Sequence, residues 1–245
     1  MKRIEILGAS GTGKSTLYSS LKKVEGRNYI TIEEAEVVLA KRYANILLRF
    51  YFNQRFTDKF KVGLARKLIN NKIKIINSFN EESRNLIGGA INEKFYWNSK
   101  KGIEYSINQT QRILTIIKKY YHFNHAIENG SVILIDEGLF HATSAAYVEN
   151  FKNADILPHG VLYLYDNEDN IYGKILHRKQ RGITASAHIG MTNSELKKFI
   201  AETIEMENNK IDKLIKCGVE VCFLDMSLPI HEVTNSALEF LNKYK

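Results

Sequence analysis

Gly8-Ala9-Ser10-Gly11-Thr12-Gly13-Lys14-Ser15-Thr16 decides how this chain is read. The run fits G-x-x-x-x-G-K-[ST] at every position. Arg3-Ile4-Glu5-Ile6-Leu7 leads into it as a short strand, and Leu17 and Leu21 leave it at helical spacing. Glycines let the backbone curl until its N–H groups converge on phosphate oxygens. The following helix adds the positive end of its dipole. Gly8, Ser10, Gly11, Thr12, Gly13, Lys14, Ser15 and Thr16 are therefore the expected nucleotide-binding residues. Lys14 is expected to reach the β- and γ-phosphates, and Ser15 to hold Mg²⁺. The expected cofactors are ATP and Mg²⁺.

Outward from this loop, Tyr29-Ile30-Thr31-Ile32 reads as a second strand. Val132 to Ile135, Gly160 to Tyr165 and Val219 to Leu224 are continuous apolar runs, as in strands buried on both faces. From Glu33 to Asn129 the pattern is helical. Ile103, Ile107, Leu114, Ile117 and Tyr121 mark a long amphipathic helix, with breaks expected at Gly88-Gly89 and Gly102. Strands alternating with helices predict an α/β chain with a five-stranded parallel sheet covered on both faces. The expected organisation is one three-layer domain over residues 1–245. Residues 35–129 form a helical insertion, or cap, between strands 2 and 3.

Of the 245 residues, 44% are apolar and 25% charged, ordinary values for a globular chain and far from a disordered one. No apolar run approaches eighteen residues, so no transmembrane helix is expected. The first apolar stretch is too short for a signal-peptide core, which predicts a cytoplasmic protein. Cys217 and Cys222 fall in or beside a late strand and read as reduced core thiols.

Two further groups carry chemistry. In Ile133-Leu134-Ile135-Asp136-Glu137-Gly138, a carboxylate ends a buried parallel strand and so lies at the sheet edge beside the phosphate loop. Asp136 is the expected Mg²⁺ partner, directly or through water, and Glu137 a base or metal-shell group. His177-Arg178-Lys179-Gln180-Arg181-Gly182 ends the helix after the fourth strand. Its guanidinium groups suit the charge that spreads over a phosphoryl group in transfer. Thr184 to Gly190, small and polar, reads as a flap.

Between Val37 and Asn80 stand ten Lys or Arg (Lys41, Arg42, Arg49, Arg55, Lys59, Lys61, Arg66, Lys67, Lys72 and Lys74) against one acid, Asp58, with aromatics interleaved. Such a surface would draw an acidic acceptor, a nucleic acid or an anionic membrane surface. A helical subdomain with a solvated basic face explains it equally well.

Together these motifs resemble the P-loop kinase group that includes thymidylate kinases and deoxynucleoside kinases. The likeness spans most of the chain in architecture, and the phosphate loop carries it in sequence. It implies the P-loop NTPase fold. It also implies a carboxylate after the second strand, Glu33 or Glu34, as base for an acceptor hydroxyl, and lid arginines at Arg178 and Arg181. The group follows the strand-3 carboxylate with Arg. Here Glu137 stands in that place, which removes a phosphate-binding guanidinium. The stretch from Val221 to Val233 is similar to the last strand and the adenine-flanking loop. Gln109 and Arg112 lie where deoxynucleoside kinases place a base-reading glutamine, but a solvated helix face is the better reading of them.

The first functional reading is thus an ATP-dependent kinase that passes the γ-phosphoryl group to a small molecule: a nucleoside, a nucleotide or a sugar-like acceptor. The alternative is a P-loop ATPase or GTPase acting with a macromolecular partner, in which Glu137 activates water. No Asn-Lys-x-Asp follows a strand, as a guanine-reading one would; Asn209-Lys210-Ile211-Asp212 falls within a helical run. A third reading is a nucleic-acid-binding protein regulated by ATP through the basic insertion.

Overall fold

Five short strands, most of them rich in Ile, Val and Leu, form the centre of the molecule. The computed structural model describes residues 1–43, 61–65, 80–99, 102–127, 130–143, 155–183 and 188–244. The elements run β1 (Lys2–Leu7), α1 (Lys14–Lys22), β2 (Tyr29–Thr31), α2 (Ile32–Tyr43), α3 (Glu81–Ser99), α4 (Ile103–Ala126), β3 (Val132–Ile135), α5 (Leu139–Ala142), β4 (Gly160–Tyr165), α6 (Glu168–Gln180), α7 (Asn193–Lys216), β5 (Glu220–Asp225) and α8 (Ile230–Asn242). Residues 61–65 are also helical. All strand pairs are parallel, in the order β2-β3-β1-β4-β5. The chain leaves β1 toward one side of the sheet and β3 toward the other. Their carboxyl ends therefore bound a crevice at the switch point.

Helices cover both faces. Leu17 and Leu21 of α1 and Val233, Phe240 and Leu241 of α8 pack on Ile4, Ile6, Leu134, Leu162 and Leu164. On the opposite face Ile113, Ile117, Tyr120 and Phe123 of α4 join Ile211 and Leu214 of α7 against Ile133, Ile135, Val161 and Tyr163. Burying one such Leu or Ile side chain stabilises by about 1.5–3 kcal/mol. Part of the 35–129 segment thus forms a layer of the sheet itself. Of the ten basic residues between Val37 and Asn80, seven, Arg49, Arg55, Lys59, Arg66, Lys67, Lys72 and Lys74, lie outside the described residues.

The expected break at Gly88-Gly89 does not occur, because α3 runs through both glycines. Leu86, Ile87 and Ala90 beside them are buried in the α4 core, and that packing outweighs the low helix propensity of glycine. Gly102 does stand at a boundary, as the N-cap of α4. The second strand stops one residue early, so Glu33 and Glu34 fall in the first turn of α2. Both cysteines are free, with Cys217 buried and Cys222 half-buried. Among the described residues, no helix is long and apolar enough to cross a membrane.

The face under α4 and α7 holds charges. Arg3 and Glu5 of β1 are fully buried. Arg3 donates through Nη2 to the carbonyls of Asp155 at 2.6 Å and Leu157 at 2.9 Å, and its guanidinium lies 4.7 Å from the Tyr120 ring centre. Glu207 and Lys210 of α7 form a buried pair at 2.7 Å.

Candidate active site

The loop between β1 and α1 is wound by glycines. Gly8, Gly11 and Gly13 have φ of 142°, 92° and 107°, where a side chain is strained. A Cβ on Gly8 would also stand 2.5 Å from the Leu164 carbonyl oxygen. Gly13 is the N-cap of α1, and no side chain caps that helix. Its first-turn N–H groups thus point into the loop as donors for an anion. Thr12 is buried and ties the loop to itself through its hydroxyl, which donates to the Ala9 carbonyl at 2.9 Å. Lys14 Nζ donates to the carbonyls of Gly8 at 2.5 Å and Ala9 at 2.9 Å. Burial lowers its pKa to about 8, while Glu207 and Glu137 pull it up and Lys210 and Arg178 push it down. Ser15 and Thr16, in the first turn of α1, are exposed.

Across the crevice, Asp136 and Glu137 follow β3. Asp136 is half-buried, and its pKa is raised by that burial and by the charges of Glu33 and Glu137. Carboxylates that repel each other in this way suit a cation between them. Glu33 comes from α2 and accepts the Tyr18 hydroxyl of α1 at 2.5 Å. Burial alone would raise the Glu33 pKa, but the Tyr18 bond and the Lys22 charge outweigh it, and it lies below the ordinary value. Three elements, α1, α2 and β3, thus bring Tyr18, Glu33 and Asp136 together.

Glu34 points elsewhere. It pairs with Arg27 through two bonds, of 2.6 and 2.8 Å, and accepts the Thr31 N–H at 2.8 Å. The Arg27 bonds lead in holding its pKa down at about 2, against a smaller opposing effect of burial. Glu34 anchors the start of α2, whereas the charge of Glu33 is among the main influences that raise Asp136. Glu137 is exposed and forms an ion pair with Arg112 of α4. Arg112 therefore belongs to the site by its contact with Glu137.

The arginines expected in a lid stand at the end of α6. Arg178 acts electrostatically on both Lys14 and His188, and it lines with Ser10 and His188 a cleft of about 180 Å³. Arg181 is the C-cap of α6, three residues further on. Of the expected flap, residues 184–187 lie outside the described residues. His188, which carried no signal in the sequence, is buried and faces Ser10 Oγ at 3.2 Å. Beyond β5, Asp225 accepts the N–H and hydroxyl of Ser227, and Lys174 donates to the Met226 carbonyl at 3.2 Å. Met226 Cε lies 2.8 Å from the position of a Cβ on Gly13, so this loop borders the phosphate loop.

The donor set fits the implied groups. Converging amides and a lysine suit the phosphates of a nucleotide. The Ser15 hydroxyl and the Asp136 carboxylate are hard oxygen donors suited to Mg²⁺. Among the described residues no group of three or more His, Cys, Asp or Glu could hold a metal ion unaided. A Mg²⁺ that shares phosphate oxygens needs no such group.

The strand order and the glycine loop at the switch point define a three-layer α/β P-loop fold. No protein-family model matches the sequence, and no curated protein is similar to it in sequence. In chain path it is similar to shikimate kinase from Bacteroides thetaiotaomicron, at 12% identity and TM-score 0.42 over 98% of each chain. It is also similar to deoxyadenosine kinase from M. mycoides, solved with the products dCMP and a flexible dCDP. That likeness has 13% identity and TM-score 0.47 over 98% of this chain and 99% of the other.

Proposed function

We infer that the protein is an ATP- and Mg²⁺-dependent phosphotransferase acting on a hydroxyl of a small-molecule acceptor. The observation that carries this reading is the Tyr18–Glu33–Asp136 group opposite Lys14. It holds a carboxylate, Glu33, that stays ionised and is separate from the nucleotide loop. Lys14 and the loop amides bind and orient the phosphates. Ser15 and Asp136 would hold Mg²⁺, which would offset the charge on the phosphate oxygens. Glu33 takes the proton from the acceptor hydroxyl, and Tyr18 fixes the carboxylate in place for it. Arg178 brings positive charge from the lid side. Arg181 is proposed only as a second lid charge, and residues 35–129 as the cap over the acceptor.

The acceptor is proposed to be uncharged where it meets Glu33, as a nucleoside or sugar-like polyol is. Glu33, Asp136 and Glu137 make that side of the crevice acidic, and Arg112 is already paired with Glu137. A phosphate group there would be repelled. The same ion pair weighs against the hydrolase reading, in which Glu137 must be available to activate water. The test is the fate of γ-labelled phosphate from Mg-ATP, followed with panels of nucleosides, sugars and nucleotides. Label on a nucleoside or sugar supports the proposal. Label released only as free phosphate, whatever the acceptor, contradicts it.

A further inference from the structure

The turn that carries Asp136 and Glu137 is held from beneath by two groups that the chemistry above does not use. Glu5 lies in β1 opposite Ile135, the last residue of β3, and is fully buried. Its two carboxylate oxygens have separate partners. Oε1 accepts the Tyr120 hydroxyl at 2.6 Å, and Oε2 accepts the N–H of Phe140 at 3.2 Å. The Tyr120 oxygen in turn accepts the N–H of Leu139 at 3.1 Å. The first two amides of α5, which no helical carbonyl can satisfy, are thus both taken up by this pair. Gly138 lies against the Glu5 carboxylate and the Tyr120 hydroxyl, with no room there for a Cβ. Residues 136–138 are therefore pinned at one end by the sheet pairing of Ile135 and at the other by the Glu5–Tyr120 clamp.

A buried carboxylate is costly, and an apolar residue would fill the position at lower cost. Its geometry gives the reason for its presence, since both oxygens end on the backbone or support of one turn. We propose that Glu5 and Tyr120 are positioning residues that set where Asp136 stands, and so set the affinity of the site for nucleotide-bound Mg²⁺ without touching either. The proposal rests on the reading of Asp136 as the metal carboxylate. Glu5→Gln leaves either the Tyr120 hydroxyl or the Phe140 N–H without an acceptor, because the NH2 group that replaces one oxygen can only donate. Tyr120→Phe leaves the Leu139 N–H unpaired and keeps the ring over which Arg3 lies.

The experiment is a calorimetric titration of each protein with ATP, in the presence of Mg²⁺ and in the presence of EDTA. Wild type is expected to bind ATP more tightly with Mg²⁺. In both variants that gain should shrink about tenfold or more, the size found when groups supporting a metal ligand are removed. Binding in EDTA, which reports the phosphate loop, should not change. Leu241→Ala, in the apolar core under α8, serves as a destabilised control and should keep the full Mg²⁺ gain. Folded variants that also keep it overturn the proposal. If Glu5→Gln does not fold, Tyr120→Phe decides alone, since it removes one hydroxyl and no charge. A wild type with no Mg²⁺ gain overturns the metal reading of Asp136 instead, which separates the two failures.

Discussion

On one side of the sheet, α1 and α8 close over Ile4, Ile6, Leu134, Leu162 and Leu164, and none of the fully buried charges comes from these helices; Lys14 of α1 is partly buried at the phosphate loop. On the other side, α4 and α7 close over a core that also holds Arg3, Glu5, Glu207 and Lys210. Alternate residues of the same strand, β1, feed the two faces. Apolar burial is non-directional, so the first face stabilises the fold without fixing any one atom. Buried ionic hydrogen bonds are directional and costly when left incomplete, so the second face fixes particular groups. What it fixes is the site: the turn after β3 through Glu5 and Tyr120, and the charge around Lys14 through Glu207 and Lys210. Stability and positioning are thus divided between the two faces of one sheet.

The division can be broken most sharply at Lys14. Lys14→Ala should abolish nucleotide turnover and leave the fold intact, measured by ADP release and by thermal unfolding. Burial holds the Lys14 pKa at about 8, below its ordinary 10.5. Its charge therefore destabilises the nucleotide-free protein in full below pH 8, and that penalty is lost as pH rises from 8 toward 10.5. The Ala variant should then be no less stable than wild type at pH 7. A lower melting temperature there would show that Lys14 supports the fold as well as the site.

Next in size is Glu33→Gln, which should slow phosphoryl transfer roughly 10²- to 10⁴-fold while ATP binding persists. Equal loss of binding and transfer would assign Glu33 to the nucleotide rather than the acceptor. On the apolar face, Leu162→Ala should cost about 3 kcal/mol of stability by urea unfolding and leave nucleotide affinity unchanged. Coupled loss of affinity would contradict the division.

The smallest effect belongs to the ionic face alone. His159 accepts the Arg3 N–H through Nδ1 at 3.2 Å, and burial, with the charges of Arg3, Lys2 and the amino terminus, lowers its pKa from 6.5 to about 4. It is neutral in the folded protein at a pH where the unfolded chain binds a proton. Its contribution is complete above pH 6.5 and is lost as pH falls from 6.5 toward 4. His159→Gln keeps an acceptor and cannot titrate in this range, so it should flatten the acid limb of a stability–pH curve. An unchanged limb would place the acid sensitivity elsewhere.

The turn of the phosphate loop and the place of Asp136 after β3 were legible in the sequence because local spacing sets them. A glycine pattern between a strand and a helix, and a carboxylate ending an apolar run, need no distant partner. The five strands were legible for a similar reason, with ends shifted by one residue. Glu33 and Glu34 were not separable, since Arg27 and Tyr18, which hold them apart, are six or more residues away in the chain. Glu137 and Arg112 lie 25 residues apart, and only the packing of α4 brings them together. The alternation Arg3-Ile4-Glu5-Ile6 reads locally as a strand with one face in water. That this face is buried follows from α4 and α7, which the local pattern does not contain. Gly88-Gly89 misled in the opposite sense, as a strong local signal overruled by the neighbours of Leu86, Ile87 and Ala90.

The central claim is that the carboxylate at work is Glu33, facing an acceptor, and not Glu137, facing water. The most direct measurement is acceptor-free ADP release from Mg-ATP by wild type and by Glu137→Gln. The account predicts slow release that is the same in both proteins, because Glu137 is an exposed partner of Arg112. A collapse of the rate by orders of magnitude in Glu137→Gln would contradict it and identify the protein as an NTP hydrolase.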